Sequence, residues 1–250
     1  MEKIKVCSFN LRVISEKDGE NIFYNRRERI VETIKEYSPD LIGFQEALDV
    51  MRDFLRDELG SYTVLGCGRN PDRRGEGAPI AFKADRFELI RFESFWLSPT
   101  PDVPGSRYEN QSQCPRIVSA ALLSPRDGEP FWFINTHLDH KSSEARLLGA
   151  RQLIKYVEKL EENFVMTGDF NAAPDAPEIL ALVGSERISN ATKDIGGTIH
   201  HFGKAAKEGM PQIDYIFTDM DFSGGFAVPS EPKNGIYISD HKPVIAFVHK

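Results

Sequence analysis

The sequence predicts one mixed α/β domain over residues 1–250, of the α+β kind in which strand pairs accompany strand–helix alternation. Three observations carry this. Short apolar runs alternate with amphipathic helical stretches, several of the runs come in hairpin-like pairs, and no linker or shift of composition divides the chain. Apolar residues make up 40% and charged residues 28%, a balance that supplies a sizeable core and excludes a disordered or fibrous chain.

Residues 4–10 read as a buried strand that ends at Asn10. Residues 25–37 place apolar side chains at 30, 31, 34 and 37, which is helical spacing, with Asn25 as N-cap and Ser38-Pro39 as the stop. The apolar run 40–46 ends in the carboxylate of Glu46, and a second amphipathic helix with apolar positions 51, 54, 55 and 59 terminates at Gly60. Residues 62–65 and 79–83 form a strand pair joined by a polar loop that holds Arg69, Arg73 and Arg74. A strand with an irregular end covers 87–97, followed by the aperiodic stretch 98–115, long enough to be a functional rim or lid.

Strands at 117–124 and 131–136 follow, the second running into His137, and then a helix over 143–161. The apolar run from Asn163 to Met166 stops at Gly168-Asp169-Phe170-Asn171, a buried strand that delivers Asp169 and Asn171 to a loop at the sheet edge. A short helix near 177–183, a glycine-broken stretch around 196–203, and strands at 212–218, near 226–228 and at 243–248 complete the chain.

Polar residues recur where these strands begin or end: Asn10, Glu46, His137, Asp169 with Asn171, Asp214, and Asp240 with His241. One such position is an ordinary turn, whereas repetition along the whole chain indicates that the strand ends converge on one rim. A set rich in oxygen donors, with few histidines and no cysteine, suits Mg²⁺ or Mn²⁺ and argues against structural zinc. Cys7, Cys67 and Cys114 have no metal-type spacing, and Cys7 sits in an apolar strand pattern as a small buried residue. A net charge of −7 without a long basic run argues against tight non-specific hold on a nucleic-acid backbone.

The segments Ser8-Phe-Asn-Leu-Arg12, Gly43-Phe-Gln-Glu46, Asn135-Thr-His-Leu-Asp139, Gly168-Asp-Phe-Asn171, Gln212-Ile-Asp-Tyr-Ile216 and Ser239-Asp-His-Lys-Pro243 together resemble the endonuclease/exonuclease/phosphatase superfamily. They occur in that family's order and span nearly the whole chain. The resemblance implies a four-layer sandwich: two mixed β-sheets packed face to face with helices outside, and the site at one end. It also implies Mg²⁺- or Mn²⁺-dependent hydrolysis of phosphate esters. Asn10, Glu46 and Asp240 then resemble metal ligands, Asp169 the water-orienting base, and Asn171 a donor to phosphate. Asp214 and His241 resemble a carboxylate–imidazole dyad, and His137 the second catalytic histidine. Arg116 resembles the family's arginine at that strand start, as a phosphate contact or a structural ion pair. One of His200 and His201 is expected to line the pocket, because adjacent strand residues face opposite ways.

The resemblance leaves the substrate open. Long loops such as 97–105 and 136–146 resemble a compact bacterial branch, in which a Trp-Asp pair stands where this chain has Tyr108-Glu109. The expectation is a phosphodiesterase or phosphatase acting on a small or single-stranded phosphate ester. The alternatives are an endo- or exonuclease, for which Arg69, Arg73, Arg74, Lys141, Arg146 and Arg151 would track phosphates, and more remotely a non-catalytic binding module. The expected partner is the phosphate-ester substrate, nucleic acid included among the options, with no membrane insertion and no obligate protein partner. The expected compartment is cytoplasmic, or extracytoplasmic if a leader preceded Met1.

Overall fold

The computed structural model describes residues 3–205 and 209–249. Its elements in chain order are β1 (Lys3–Asn10), a 3-10 turn (Glu16–Asn21), α1 (Phe23–Tyr37), β2 (Leu41–Gln45), α2 (Asp49–Glu58), β3 (Tyr62–Leu65), β4 (Ile80–Lys83) and β5 (Phe87–Trp96). These are followed by β6 (Ile117–Pro125), β7 (Phe131–His137), α3 (Ser143–Val157), β8 (Asn163–Asp169) and α4 (Pro177–Val183). The last strands are β9 (Ser189–Asn190), β10 (Asp214–Thr218), β11 (Asp221–Ala227) and β12 (Val244–His249).

The strands form two six-stranded sheets, β11-β12-β1-β2-β4-β3 and β5-β6-β7-β8-β10-β9. Each sheet is antiparallel except at one pair. β1 runs parallel to β2 across the α1 crossover, and β7 runs parallel to β8 across α3. A parallel pair needs a crossover that covers one sheet face, so α1 and α2 pack outside the first sheet and α3 and α4 outside the second. Between the sheets lies a third apolar layer, which includes Ile4, Val6, Phe82, Phe133, Val165 and Val244. This is the expected four-layer sandwich of two mixed sheets. None of the described helices is long and apolar enough to cross a membrane.

Several local expectations shift. The first helix begins at Phe23 with Ile22 as its cap residue, and Asn25 instead donates from Nδ2 to the Glu20 carbonyl. Burial of Phe23 against the core starts the helix earlier than the polar signal indicates. The third helix stops at Val157, capped by Ser142 Oγ at its start, because the chain must turn back to enter β8. The irregularity of β5 is a mid-strand bulge between Leu89 and Arg91, not a frayed end. β10 begins at Asp214, and β11 starts five residues ahead of the stretch expected near 226. β8 runs through to Asp169 in the interior of its sheet, so Asp169 is the last residue of an inner strand and not part of an edge loop.

Candidate active site

The site follows from strand direction. In a parallel pair both strands point the same way, so β1 and β2 deliver Asn10 and Glu46 to one end, and β7 and β8 deliver His137 and Asp169. Antiparallel β10 starts at that same end and sets Asp214 opposite Asp169 in register. The segment before β12 adds Asp240 and His241.

Convergence also requires the two sheets to approach closely at this end. Gly43 permits it, since a Cβ there would lie 2.0 Å from Thr167 Oγ1 and 2.4 Å from Asn135 Oδ1. In the space so freed, the Asn135 amide clamps the sheets. Its Nδ2 donates to the Phe44 and Pro79 carbonyls at 2.7 and 3.0 Å, and its Oδ1 accepts from Gln45 Nε2 at 2.7 Å and Thr167 Oγ1 at 3.0 Å. A buried amide with every bond made fixes register strongly.

Asp169 is the hub. Its Oδ2 accepts from Asn10 Nδ2 at 2.9 Å and lies 3.5 Å from His137 Nε2 and 3.9 Å from His241 Nε2. Its Oδ1 accepts from the backbone N–H of Asn171 at 2.9 Å. Asn171 (φ 50°) is in the left-handed region, which asparagine tolerates, and its Nδ2 donates to His137 Nε2 at 2.9 Å and to the Leu138 carbonyl at 3.1 Å. Glu46 (φ 60°) is held in a conformation that a glutamate adopts only under restraint. The restraint is visible: Val13 N donates to its Oε2 at 2.6 Å and Asn10 Nδ2 to its Oε1 at 3.1 Å. Asn10 Oδ1 accepts from Arg12 N at 2.9 Å, and Arg12 pairs with Asp18 and approaches Asp240 to 3.8 Å.

The two histidines differ electrostatically. For His241, burial lowers the pKa, but the Asp214 charge and the 2.9 Å bond from Nδ1 to Asp214 Oδ2 outweigh it and lift the ring to about 10. His137 is driven well below its ordinary value by burial and by the nearby Arg116 and Arg69 charges. At neutral pH one ring is therefore cationic and the other neutral. The Asp169 carboxyl is pushed up to about 7 by burial and by Asp214, against the opposing pull of His241.

A divalent cation suits this donor set. Burial raises the Asp240 pKa, with the Glu46 charge adding to it against the pull of His241, and Asp214 Oδ1 has no hydrogen-bond partner among the described residues. Ligand atoms of Glu46, His137 and Asp169 lie within 4.8 Å of one another, whereas the similar group of Asp169, Asp214 and His241 contains the ring that Asp214 holds cationic and so offers no free nitrogen to an ion. The oxygen-rich composition fits Mg²⁺ or Mn²⁺ better than zinc.

Most of the residues singled out in the sequence meet in one cleft of ≈ 420 Å³, with Asn10 and Asp214 buried beneath its floor. Arg116 stands in its wall, almost wholly buried. His201 lines the rim, whereas His200 turns inward, 3.2 Å from Ser230 Oγ. Neither belongs to a strand; the turn at His201 (φ 49°), not strand alternation, separates them. The larger concavity of ≈ 930 Å³ beside α4 holds none of these residues. The arginines considered for phosphate tracking are partly engaged: Arg69 with Glu76, Arg146 with buried Glu178, and Arg73 over the Trp96 ring.

Sequence reading missed Arg26, and it noted Asn135 only as part of a segment without giving it a role. Arg26 occupies the buried face of α1 with Phe23, Ile30 and Ile34, and Asn135 interrupts the apolar run of β7. A polar residue on an apolar stripe was the available signal.

The family model described as endonuclease/exonuclease/phosphatase family matches residues 7–241. An endonuclease/exonuclease/phosphatase from Bacteroides vulgatus superposes with a TM-score of 0.94 at 28% identity, over 100% of this chain and 99% of that one. A mannosyl-6-phosphatase of Bacteroides thetaiotaomicron gives 0.89 at 25% identity, over 98% and 100%. An uncharacterized protein of Acanthamoeba polyphaga mimivirus is 25% identical over 245 residues, 88% of this chain and 90% of its own length.

Proposed function

The chain belongs to the endonuclease/exonuclease/phosphatase family, and from that premise we propose that it is a Mg²⁺- or Mn²⁺-dependent hydrolase of small or single-stranded phosphate esters. One observation carries the reading: Asp169 sits at 2.9–3.9 Å from Asn10, His137 and His241, groups brought from two different sheets. An arrangement that needs both sheets in register is difficult to explain as turn chemistry. The small-substrate reading rests on the acidic net charge and on the arginines already engaged with neighbours. The mannosyl-6-phosphatase among the structural neighbours supports it.

Asn10, Glu46 and Asp240 would hold the ion, Asn10 through the Oδ1 that already faces Arg12 N. When bound, the ion polarises a phosphoryl oxygen and offsets developing charge. Asp169 orients the attacking water and takes its proton, a role suited by a carboxyl whose pKa lies near 7. Cationic His241, fixed by Asp214, holds a phosphate oxygen. Neutral His137 accepts from Asn171 Nδ2 through its Nε2 and so holds that side chain where it lines the cleft.

The test is turnover of p-nitrophenyl phosphate and bis-p-nitrophenyl phosphate with Mg²⁺ or Mn²⁺, and with chelator. Silence on both esters, unchanged by metal, sinks the reading. Activity on oligonucleotides that falls steeply as salt rises would shift it toward a nuclease.

A further inference from the structure

We propose that His140, held by the buried Arg116, is a specificity residue of the cleft that selects phosphate monoesters over diesters. The inference deepens the hydrolase reading above and rests on it.

The starting point is a charge that the protein leaves incompletely answered. Arg116 is 3% exposed, and its Nε and Nη1 have no hydrogen-bond partner among the described residues. Its nearest carboxylate oxygen, Asp139 Oδ2, is 3.8 Å from Nε. That carboxylate is already committed: Oδ1 accepts from Lys141 N at 3.0 Å and Ser142 N at 2.8 Å, and Oδ2 accepts from Ser112 Oγ. Arg69 opposes the charge further, and its own partner is Glu76. A buried guanidinium so placed gains from any additional anion nearby.

Among the described residues Arg116 makes one hydrogen bond to a neighbouring side chain, and that bond decides how His140 is presented. Nη2 lies 2.9 Å from His140 Nδ1. A guanidinium only donates, so Nδ1 must accept, and the neutral ring carries its proton on Nε2. Partial desolvation and the Arg116 charge both lower the His140 pKa, which favours that neutral form. The result is a single oriented N–H donor on an exposed side chain, with a fixed positive charge behind it. Both residues line the cleft that also contains His137, Asp169, Asn171 and His241.

The groups proposed above to meet phosphoryl oxygens are His241 and Asn171, and His140 lines the same cleft. A monoester brings three terminal oxygens and up to two negative charges, whereas a diester brings two and one and places an uncharged organic arm where the third oxygen would go. A wall of Arg69, Arg116 and His140 favours the oxygen over the arm. Arg116 acts here as a positioning residue, since its free N–H groups are screened from solvent; His140 makes the contact.

The experiment compares kcat/KM for p-nitrophenyl phosphate and bis-p-nitrophenyl phosphate in the metal-loaded protein and in His140→Ala, His140→Gln and Arg116→Met, with melting temperatures recorded for each. The expected result is a loss of about tenfold to a hundredfold on the monoester in His140→Ala, the scale of a hydrogen bond to a charged group. The diester rate should stay within about twofold, and His140→Gln, which keeps an N–H donor, should recover most of the loss. Inorganic phosphate should compete more weakly with the monoester in the same variant. Arg116→Met should follow His140→Ala in the monoester-to-diester ratio; because that position is buried, His140→Ala decides the matter if the arginine variant misfolds. An equal effect on both esters, no effect on either, or a wild-type protein that turns over only diesters overturns this inference and leaves the hydrolase reading standing. A wild-type protein inactive on both removes the hydrolase reading and this inference with it.

Discussion

Arg26 offers the most demanding test of how the site is held. Its guanidinium is 0% exposed and meets no carboxylate within the hydrogen-bonded set. Nε donates to the Asn21 carbonyl at 2.8 Å, Nη1 to Ile238 O at 2.8 Å and to Leu11 O, and Nη2 to Arg12 O at 2.8 Å. The acceptors come from the segment after Asn10 and from the segment before Asp240, so one side chain ties together the two loops that flank Glu46. Burial lowers its pKa only to about 10, which leaves it charged at neutral pH. Arg26→Met keeps most of the aliphatic stem and removes every donor, leaving two buried and two part-buried carbonyls without their partner. At about 1–3 kcal/mol for each unsatisfied group, reduced by local relaxation, the expected loss is about 3–5 kcal/mol. For a chain of this size that corresponds to a melting temperature lower by about 6–10 °C. Arg26→Lys, which retains the charge but not the planar fork, should fall between the two. Calorimetry of the three proteins measures the loss, and a Mn²⁺ titration reads the site directly: affinity should drop in the order wild type, Lys, Met. A methionine variant that melts within about 2 °C of wild type and binds Mn²⁺ equally well would refute the reasoning.

Three further outcomes are expected. Asp169→Asn should lower kcat by about a thousandfold or more while the metal-free protein melts no lower than wild type, because the substitution removes a buried charge that Asp214 opposes; activity near wild type would discard the role of Asp169. In chelated protein, the His241 pKa is raised from 6.5 to about 10 on folding, so the stability this group contributes is fully present below about pH 6.5 and is lost as pH rises through about 10. Melting curves across that window should show the decline, and Asp214→Asn should flatten it. Gly43→Ala forces a Cβ against Thr167 Oγ1 and Asn135 Oδ1 and should cost about 2–4 kcal/mol in thermal or denaturant unfolding, with an unchanged midpoint counting against close sheet contact there.

Much of the site was legible in the chain because strand ends advertise themselves. An apolar run that begins or ends at a polar group is a one-dimensional signal, and Asn10, Glu46, His137, Asp169 and Asp214 were singled out through it as candidates. Boundaries were less legible: the start of α1 is set by where Phe23 is buried, and the length of β8 by its pairing with β7 and β10, neither of which is a local property. His200 and His201 illustrate the same limit, since strand alternation does not apply to residues that lie in a turn.

By itself, then, the sequence determined which residue types stand at the strand ends, and through their ordered motifs the family and the four-layer sandwich, because backbone periodicity and turn chemistry are local. Only the tertiary structure decided how those ends meet. Gly43 and Asn135 set the spacing between the sheets, Arg26 joins two loops separated by more than two hundred residues, and Asp214 makes one histidine a cation while Arg116 and burial keep the other neutral. Each of these depends on distance and dielectric between groups far apart in the chain, and the folded packing alone sets both.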